Sequence, residues 1–484
     1  MIAAELVRRG ARQFSRDVAV IGPDVQYTFA EIDDLSNRVA AALALPKGSP
    51  VGLLIGNEPY APAIGMACTK SGLVHVPLNT RLALPEHEAM LRLTDARTLV
   101  HSAAEAERAR LLAERTGSDL VEAERDLLSA PAAGVPRVEL SPDDTLVLAF
   151  TSGTTGKLKA VRHTQRTYAA VAANILANLV DPRPGDVMLH AASLIHASGT
   201  FVLPFWVRGA ASAVLPGFAP EQFLDAIPRW RATHTNLVPT MLAALLQTPG
   251  VEDVDVSTLR AIVYGASPMP TPLLERALEL WGPRLIQYYG QTEAPLCIAV
   301  LRPEDHHGGR LLSCGQPAVD CEVRLDESGE ILLRAPFAAT GYVGDEELDR
   351  ETFLPDGWVR TRDVGRFDDD GFLYLVDRTS DMIVSGGYNV YPREVEDALA
   401  SHPAVREAVV VGAPDDTWIE VVTAFVVADG VEEAELVAHC RQRLAGYKVP
   451  KRVRFVAEVP KSPVGKLLRR AVRDPLWEGR VRPI

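Results

Sequence analysis

Short, continuously apolar runs alternate with amphipathic stretches along the first part of the chain. Val51–Ile55 reads as a strand, Pro62–Ser71 as a helix, Val74–Leu78 as a strand, Glu86–Thr94 as a helix and Thr98–His101 as a strand. The alternation returns with strand Ala211–Leu215, a helix from Glu221, strand His234–Val238 and a helix from Thr240. Strand Ala261–Tyr264, a helix from Pro272 and strand Leu285–Tyr288 follow. A strand covered on both faces is apolar throughout, whereas a helix repeats its apolar face every three to four residues. Strand–helix alternation of this kind predicts an α/β fold with doubly wound parallel sheets.

The pattern changes beyond residue 310. Gly, Asp and Pro punctuate shorter strands at Cys321–Leu325, Gly329–Arg334, Trp358–Thr361 and Phe372–Val376, which predicts a β-rich subdomain. From Asp381 a compact α+β pattern begins: helix Arg393–Ser401, strand Val405–Gly412, strand Val421–Val427, helix Glu433–Leu444 and strand Val453–Val456. A boundary near Asp377–Asp381 divides a large N-terminal region, 1–378, from a small C-terminal domain, 379–484. No linker, repeat or low-complexity tract marks it.

Composition narrows the class. A chain of 484 residues exceeds what one core supports. Its 47% hydrophobic and 23% charged residues are ordinary for a globular protein. A net charge of −13 argues against nucleic acid or an anionic membrane as partner. The five cysteines form no C-x-x-C, so a disulfide framework or zinc site is not expected and a reducing cytoplasm is. Met1–Phe14 has no apolar signal core, and no run approaches the roughly 18 to 20 apolar residues of a membrane span. The lysines are unusual. There are 8 against 42 arginines, and six of them (157, 159, 448, 451, 461 and 466) lie in two places. Arg and Lys are not interchangeable, so these positions are candidates for a compact point charge.

One of those places carries the strongest motif. The apolar run Leu146–Phe150 enters Thr151-Ser152-Gly153-Thr154-Thr155-Gly156-Lys157-Leu158-Lys159. Glycines let backbone N–H groups approach phosphate oxygens, hydroxyls add donors, and Lys157 and Lys159 add charge. A plain Gly/Ser/Thr surface turn has the same composition. A Walker loop is excluded, because Gly156-Lys157 is followed by Leu158 rather than Ser or Thr.

Further motifs follow. Gln287-Tyr288-Tyr289-Gly290-Gln291-Thr292-Glu293 ends a strand, where open α/β sheets bind ligands. An aromatic there can stack on a base, Thr292 can donate to a phosphate and Glu293 can hold Mg²⁺. The bland reading is a strand–turn with a surface Glu. Asp363 follows Trp358-Val-Arg-Thr-Arg, as a diol acceptor or a turn cap. Asp377-Arg378 precedes the glycine-bearing loop Ser385-Gly386-Gly387-Tyr388-Asn389, and Pro460–Lys466 is a lysine-tipped segment.

In this order and spacing, from Tyr27-Thr-Phe-Ala-Glu31 to Gly465-Lys466, the chain resembles the adenylate-forming superfamily. That group contains acyl-CoA synthetases, aryl-CoA ligases, luciferases and adenylation domains. The resemblance implies two ATP-dependent half-reactions. A carboxylate attacks the α-phosphate, releasing pyrophosphate, and a nucleophile then displaces AMP. It implies ATP and Mg²⁺ as cofactors. The partners are a small-molecule acid and the thiol of coenzyme A or of a carrier-protein pantetheine. A homodimer stays open.

The resemblance assigns roles residue by residue. Thr151 to Lys159 cradle the phosphates. Gly265, Ala266 and Ser267 border the adenine, with Tyr289 and Gly290 beside it. Thr292 touches the α-phosphate and Glu293 binds Mg²⁺. Asp363, helped by Arg378, holds the ribose. Lys466 stabilises the charge of adenylation. The C-terminal domain is mobile, rotating to bring the Gly386-Gly387 loop to the thiol. His196, with Ser198, Gly199, Tyr288 and Gly290, borders the acid; as a lone histidine after an apolar pair, His196 also reads as a core residue.

Four positions depart from the family pattern: Ser380 at the hinge, Ile419 in place of a glycine between Trp418 and Glu420, Ser193 in place of a frequent proline, and Tyr288 where some aryl-CoA ligases have glycine. A phenol at Tyr288 would shorten or polarise the acid pocket, which favours a small or aromatic acid over a long fatty acid. The departures also keep alternatives in view: an amide-forming ligase, or a nitrite-activating ATP-dependent diazotase.

Overall fold

The first long helix shows how closely local sequence sets local structure. Thr28 and Glu31 form a reciprocal cap, in which Glu31 N donates to Thr28 Oγ1 at 3.2 Å and Thr28 N donates to Glu31 Oε2 at 2.7 Å. The helix Phe29–Leu43 follows. In this computed structural model the described residues are 1–132, 134, 138–152, 158–266, 269–378, 381–385, 388–415, 418–461 and 467–478. At 151, 152, 377, 378, 384, 388, 389 and 419 the description is of the backbone alone.

Among the described residues the strands form four sheets. One runs Tyr342–Val343, Leu158–Thr164, Thr145–Ser152, Val74–Pro77, Pro50–Leu54, Thr98–His101, Asp119–Glu122. A second runs Gln316–Pro317, Ala294–Leu301, Leu285–Gln291, Ala261–Gly265, His234–Leu237, Val187–His190, Ala211–Val214, Val18–Ile21, Gln26–Thr28. Their middle strands are parallel, as the alternation predicts, and largely buried, although His234–Leu237 carries three polar residues. Helices such as Ala61–Ser71, Leu84–Thr94 and Thr271–Trp281 stand close to the expected bounds.

The sheet edges differ from a purely parallel pattern. Thr145–Ser152 pairs antiparallel with Leu158–Thr164, and Leu285–Gln291 antiparallel with Ala294–Leu301. The physical reason is connection length. A parallel crossover needs a dozen or more residues, and these strands are joined by far fewer. Thr292-Glu293 is therefore a hairpin tip, and the strands flanking residues 153–157 pair as a hairpin.

A smaller antiparallel sheet contains Glu322–Leu325, Glu330–Arg334, Val359–Phe367 and Leu373–Arg378. The last sheet contains Tyr388–Val390, Ile383–Ser385, Ile419–Ala428 and Val405–Asp415, with Arg452–Phe455 parallel to Ile419–Ala428. It packs its own apolar layer, including Val395, Leu399, Val410, Val422, Val426 and Leu436. The helix expected over Glu433–Leu444 ends at Arg441.

Candidate active site

The Thr292-Glu293 tip of one hairpin meets the Leu158–Thr164 strand of the other. Thr292 and Glu293 are the two residues joining Leu285–Gln291 to Ala294–Leu301. On the neighbouring hairpin, Thr151 lies opposite Lys159 and Ser152 opposite Leu158. His163, on the Lys159 strand, has its Nε2 2.8 Å from the Thr292 carbonyl. Burial pushes the His163 imidazole down to about 4, which keeps the ring neutral, so Nε2–H donates to Thr292 O. A third segment closes the junction: Ala339 N donates to Glu293 O at 2.8 Å, and the Tyr342 hydroxyl donates to Glu293 Oε1 at 2.7 Å. Lys159 is buried, and burial, then the Arg362 charge, lowers its pKa.

Asp363 reaches the same region through a β-bulge. The register between Glu330–Arg334 and Val359–Phe367 slips between Glu330 and Leu332. Arg362 adopts φ +62° there, and the Glu330 carboxylate accepts its N–H at 2.9 Å. A bulge of this kind re-aims the following side chain. Asp363 Oδ2 accepts from the Tyr289 hydroxyl at 2.7 Å, both residues being buried. Burial, and then the Asp363 charge, holds the Tyr289 phenol well above its ordinary pKa, so it stays a donor. Arg378 is the ladder partner of Asp363 on the next strand. Left-handed non-glycine backbone recurs around this region, at Ala266 (φ +69°), Leu296 (φ +63°) and Arg362. Strain of this sort persists where surrounding structure over-determines it. Gly290 lies so close to the Leu296 backbone that a Cβ would overlap it.

The other side is built around His196. Asn79 Oδ1 accepts from Arg81 N at 3.0 Å, which fixes the carboxamide so that Nδ2 faces His196 Nε2 at 3.0 Å. Nε2 is therefore an acceptor, and the neutral ring carries its proton on Nδ1. The imidazole edge is open, yet protein surrounds it, and this burial, then the Arg81 charge, pushes its pKa down to about 4. Asn57 ties the same loop in place, donating to Ala192 O at 3.0 Å and accepting from Leu194 N at 2.9 Å. A Cβ on Gly199 would overlap the Leu194 carbonyl oxygen, so only glycine lets the loop close.

The residues expected around the acid are not equivalent. Ser198 is buried, with its Oγ 2.8 Å from His190 Nδ1, so its hydroxyl is committed behind the loop. Tyr288 is also buried. Its ring crosses Gly265, where a Cβ would stand 2.9 Å from it, and its hydroxyl lies beside the Asn236 side chain without a well-formed hydrogen bond among the described residues. Gly153, Thr154, Thr155, Gly156, Lys157, Ser267, Gly386, Gly387 and Lys466 lie outside the described residues; Thr151, Ser152 and Arg378 are described by backbone alone.

Comparison with known proteins decides the family. The model of the AMP-binding enzyme family matches residues 7–343, and that of the AMP-binding enzyme C-terminal domain matches 394–466. The chain belongs to the AMP-binding enzyme family. It is an AMP-forming ligase of the adenylate-forming superfamily, and it uses ATP. A medium/long-chain-fatty-acid–CoA ligase of Mycobacterium tuberculosis is 36% identical, over 98% of this chain and 90% of its own. The solved amide bond synthetase of Marinactinospora thermotolerans superposes with TM-score 0.90 at 34% identity, covering 98% of this chain and 99% of that one. The o-succinylbenzoate CoA synthetase of Bacillus subtilis, solved with its acyl-adenylate, gives TM-score 0.86 at 32% identity, covering 97% and 98%.

For this AMP-binding enzyme the motif residues Lys159, Tyr289, Thr292, Glu293 and Asp363 converge through the contacts described above. His163 and Tyr342 support them, Asn79 and Asn57 hold the His196 loop, and none of the four carries a motif signal of its own. A single histidine in a strand, or a tyrosine fifty residues from its partner, shows nothing of its contact until the chain folds. Among the described residues, no group of three or more His, Cys, Asp or Glu could hold a metal. Glu293, a lone half-buried carboxylate, suits a hard cation that takes its other ligands from phosphate and water, as Mg²⁺ does. No helix among the described residues is long and apolar enough to cross a membrane.

Proposed function

We propose that the protein activates a small or aromatic carboxylic acid as its acyl-adenylate and passes the acyl group to the thiol of coenzyme A. The observation that carries the reading is the meeting of the Thr292-Glu293 tip, the Lys159 strand and the Tyr289–Asp363 pair. In the first step a carboxylate oxygen bonds to the α-phosphorus, the bond to the pyrophosphate oxygen breaks, and pyrophosphate leaves. In the second, sulfur bonds to the acyl carbon, the bond to AMP breaks, and the thiol proton passes to solvent. Both steps bring anions together, so positioning and charge neutralisation dominate.

In this reading Asp363 and Arg378 hold the ribose and Tyr289 borders the adenine. Thr292 and the Thr151–Lys159 hairpin hold the phosphates, and Lys466 neutralises the adenylation charge. Mg²⁺, held by Glu293, supplies charge neutralisation at the phosphates. Neutral His196 borders the acid. The boundary at 378/379 separates this body from the domain carrying Lys466.

The test is incubation with ATP, a panel of small and aromatic acids and coenzyme A, read by mass spectrometry. Formation of AMP with a thioester is expected; AMP without any thioester sinks the thiol reading. Lys466→Ala is expected to cut pyrophosphate exchange by several orders of magnitude, and wild-type exchange in that variant sinks the assignment of Lys466.

An amide-forming ligase is the second reading. Ile419 favours it: Ile419 is the ladder partner of Ser385, beside the Gly386-Gly387 loop where the thiol arm would pass. The likeness to the amide bond synthetase favours it too. Amine acceptors in the same panel separate the two.

A further inference from the structure

Glu293 stands on a hairpin tip, and a carboxylate there turns broadly about its last torsion. Lys159 lies near enough for the two charges to influence each other: the Glu293 carboxylate raises the lysine pKa, against the larger effects of burial and Arg362. Left to themselves, carboxylate and ammonium would pair, and both would be withdrawn from a bound triphosphate. Tyr342 contacts both. Its hydroxyl donates to Glu293 Oε1 at 2.7 Å, and the Lys159 ammonium lies 5.7 Å from its ring centroid, within reach of a cation–π contact.

Tyr342 is itself held on three sides. Its N–H donates to Asp349 Oδ1 at 2.6 Å, its backbone pairs with Val161 on the Lys159 strand, and its ring meets Phe353 edge-on at 5.3 Å. Such anchoring fits a side chain whose task is to orient others. Burial, and then the Glu293 charge, keeps its phenol protonated and donating.

We infer that Tyr342 is a positioning residue of the ATP site, holding the Glu293 carboxylate toward the divalent cation and apart from Lys159. The inference rests on the reading of Glu293 as the metal-side carboxylate. The hydrogen bond occupies Oε1 and leaves Oε2 for the cation. Removing the hydroxyl frees the carboxylate to turn toward Lys159.

The test compares wild type, Tyr342→Phe, Glu293→Gln and the double variant. Pyrophosphate exchange is followed against free Mg²⁺ at fixed ATP. Mn²⁺ binding is read separately by electron paramagnetic resonance with a non-hydrolysable ATP analogue. Tyr342→Phe is expected to raise the half-saturating metal concentration about tenfold in both assays, the scale seen when an outer partner of a metal ligand is lost. The double variant is expected to match Glu293→Gln alone, because the hydroxyl acts through the carboxylate. Unchanged half-saturation in Tyr342→Phe, or full additivity in the double variant, overturns the inference. So does a lowered melting temperature with unchanged metal binding in the folded fraction. If Glu293→Gln itself leaves metal binding unchanged, the reading of Glu293 has failed instead.

Discussion

The proposed nucleotide side and acid side of the site are held by different means. On the nucleotide side charged groups are gripped across strands: Tyr289 bonds Asp363, Tyr342 bonds Glu293 and Glu330 fills the bulge behind Arg362. On the acid side the grip is neutral: Asn79 holds a neutral His196, Asn57 holds the loop backbone, and the Tyr288 hydroxyl lies beside the Asn236 amide. ATP is common to every member of such a family, and its charge demands fixed partners. The acid differs between members, and apolar surroundings with few committed polar groups are easier to reshape.

Four substitutions or conditions test that contrast, beginning with the largest effect. Asp363→Ala removes a buried carboxylate and strands the Tyr289 hydroxyl. Activity is expected to fall about a hundredfold or more, with a raised KM for ATP, and stability by about 1–3 kcal/mol. An unchanged KM for ATP would show that Asp363 does not grip the nucleotide.

Gly199→Ala attacks the other side. The added methyl collides with the Leu194 carbonyl and must displace the His196 loop. The KM for the acid is expected to rise on the order of tenfold, about 1.4 kcal/mol, while that for ATP holds. Equal rises in both would erase the distinction between the sides.

Acid pH probes the neutral histidines behind both sides. Burial pushes His163 down to about 4 and His190 down to about 3, against roughly 6.5 in an unfolded chain. Between those values the unfolded state binds more protons. The contribution is therefore complete above about pH 6.5 and is lost as pH falls toward 4 and 3. The full shifts correspond to on the order of 3 kcal/mol for His163 and about 5 kcal/mol for His190. Melting temperatures measured from pH 7.5 to 4.5 should be level at the top and fall below 6.5; a level profile throughout contradicts the burial argument.

Tyr288→Phe is the smallest change. It deletes a hydroxyl that lies beside Asn236 without a well-formed hydrogen bond among the described residues, so stability is expected to stay within about 0.5 kcal/mol or rise. Turnover of an unsubstituted aromatic acid should hold. A clear loss of stability in calorimetry would reveal a bond that the hydroxyl makes.

The same contrast governs how much of the protein its sequence discloses. Backbone-level features are local. The capping pair Thr28/Glu31 and the glycines at 199 and 290 act on near neighbours, and apolar runs declare central strands. The nucleotide motifs are equally local, because a strand end and a short turn present several groups at once. Ser198 shows the limit: its place in the His196 loop suggests contact with the acid, whereas its hydroxyl is spent on His190.

What the sequence by itself determined was the element pattern, the adenylate-forming family and the candidates for gripping ATP. Each depends on residues within one or two turns of chain. Only the tertiary structure decided that the Thr292-Glu293 tip meets the Lys159 strand, that a bulge aims Asp363, and that His163, Asn79 and Tyr342 support the site. Those facts depend on residues tens to more than a hundred positions apart meeting across sheets, and a hydrogen bond reports geometry that no neighbouring residue encodes.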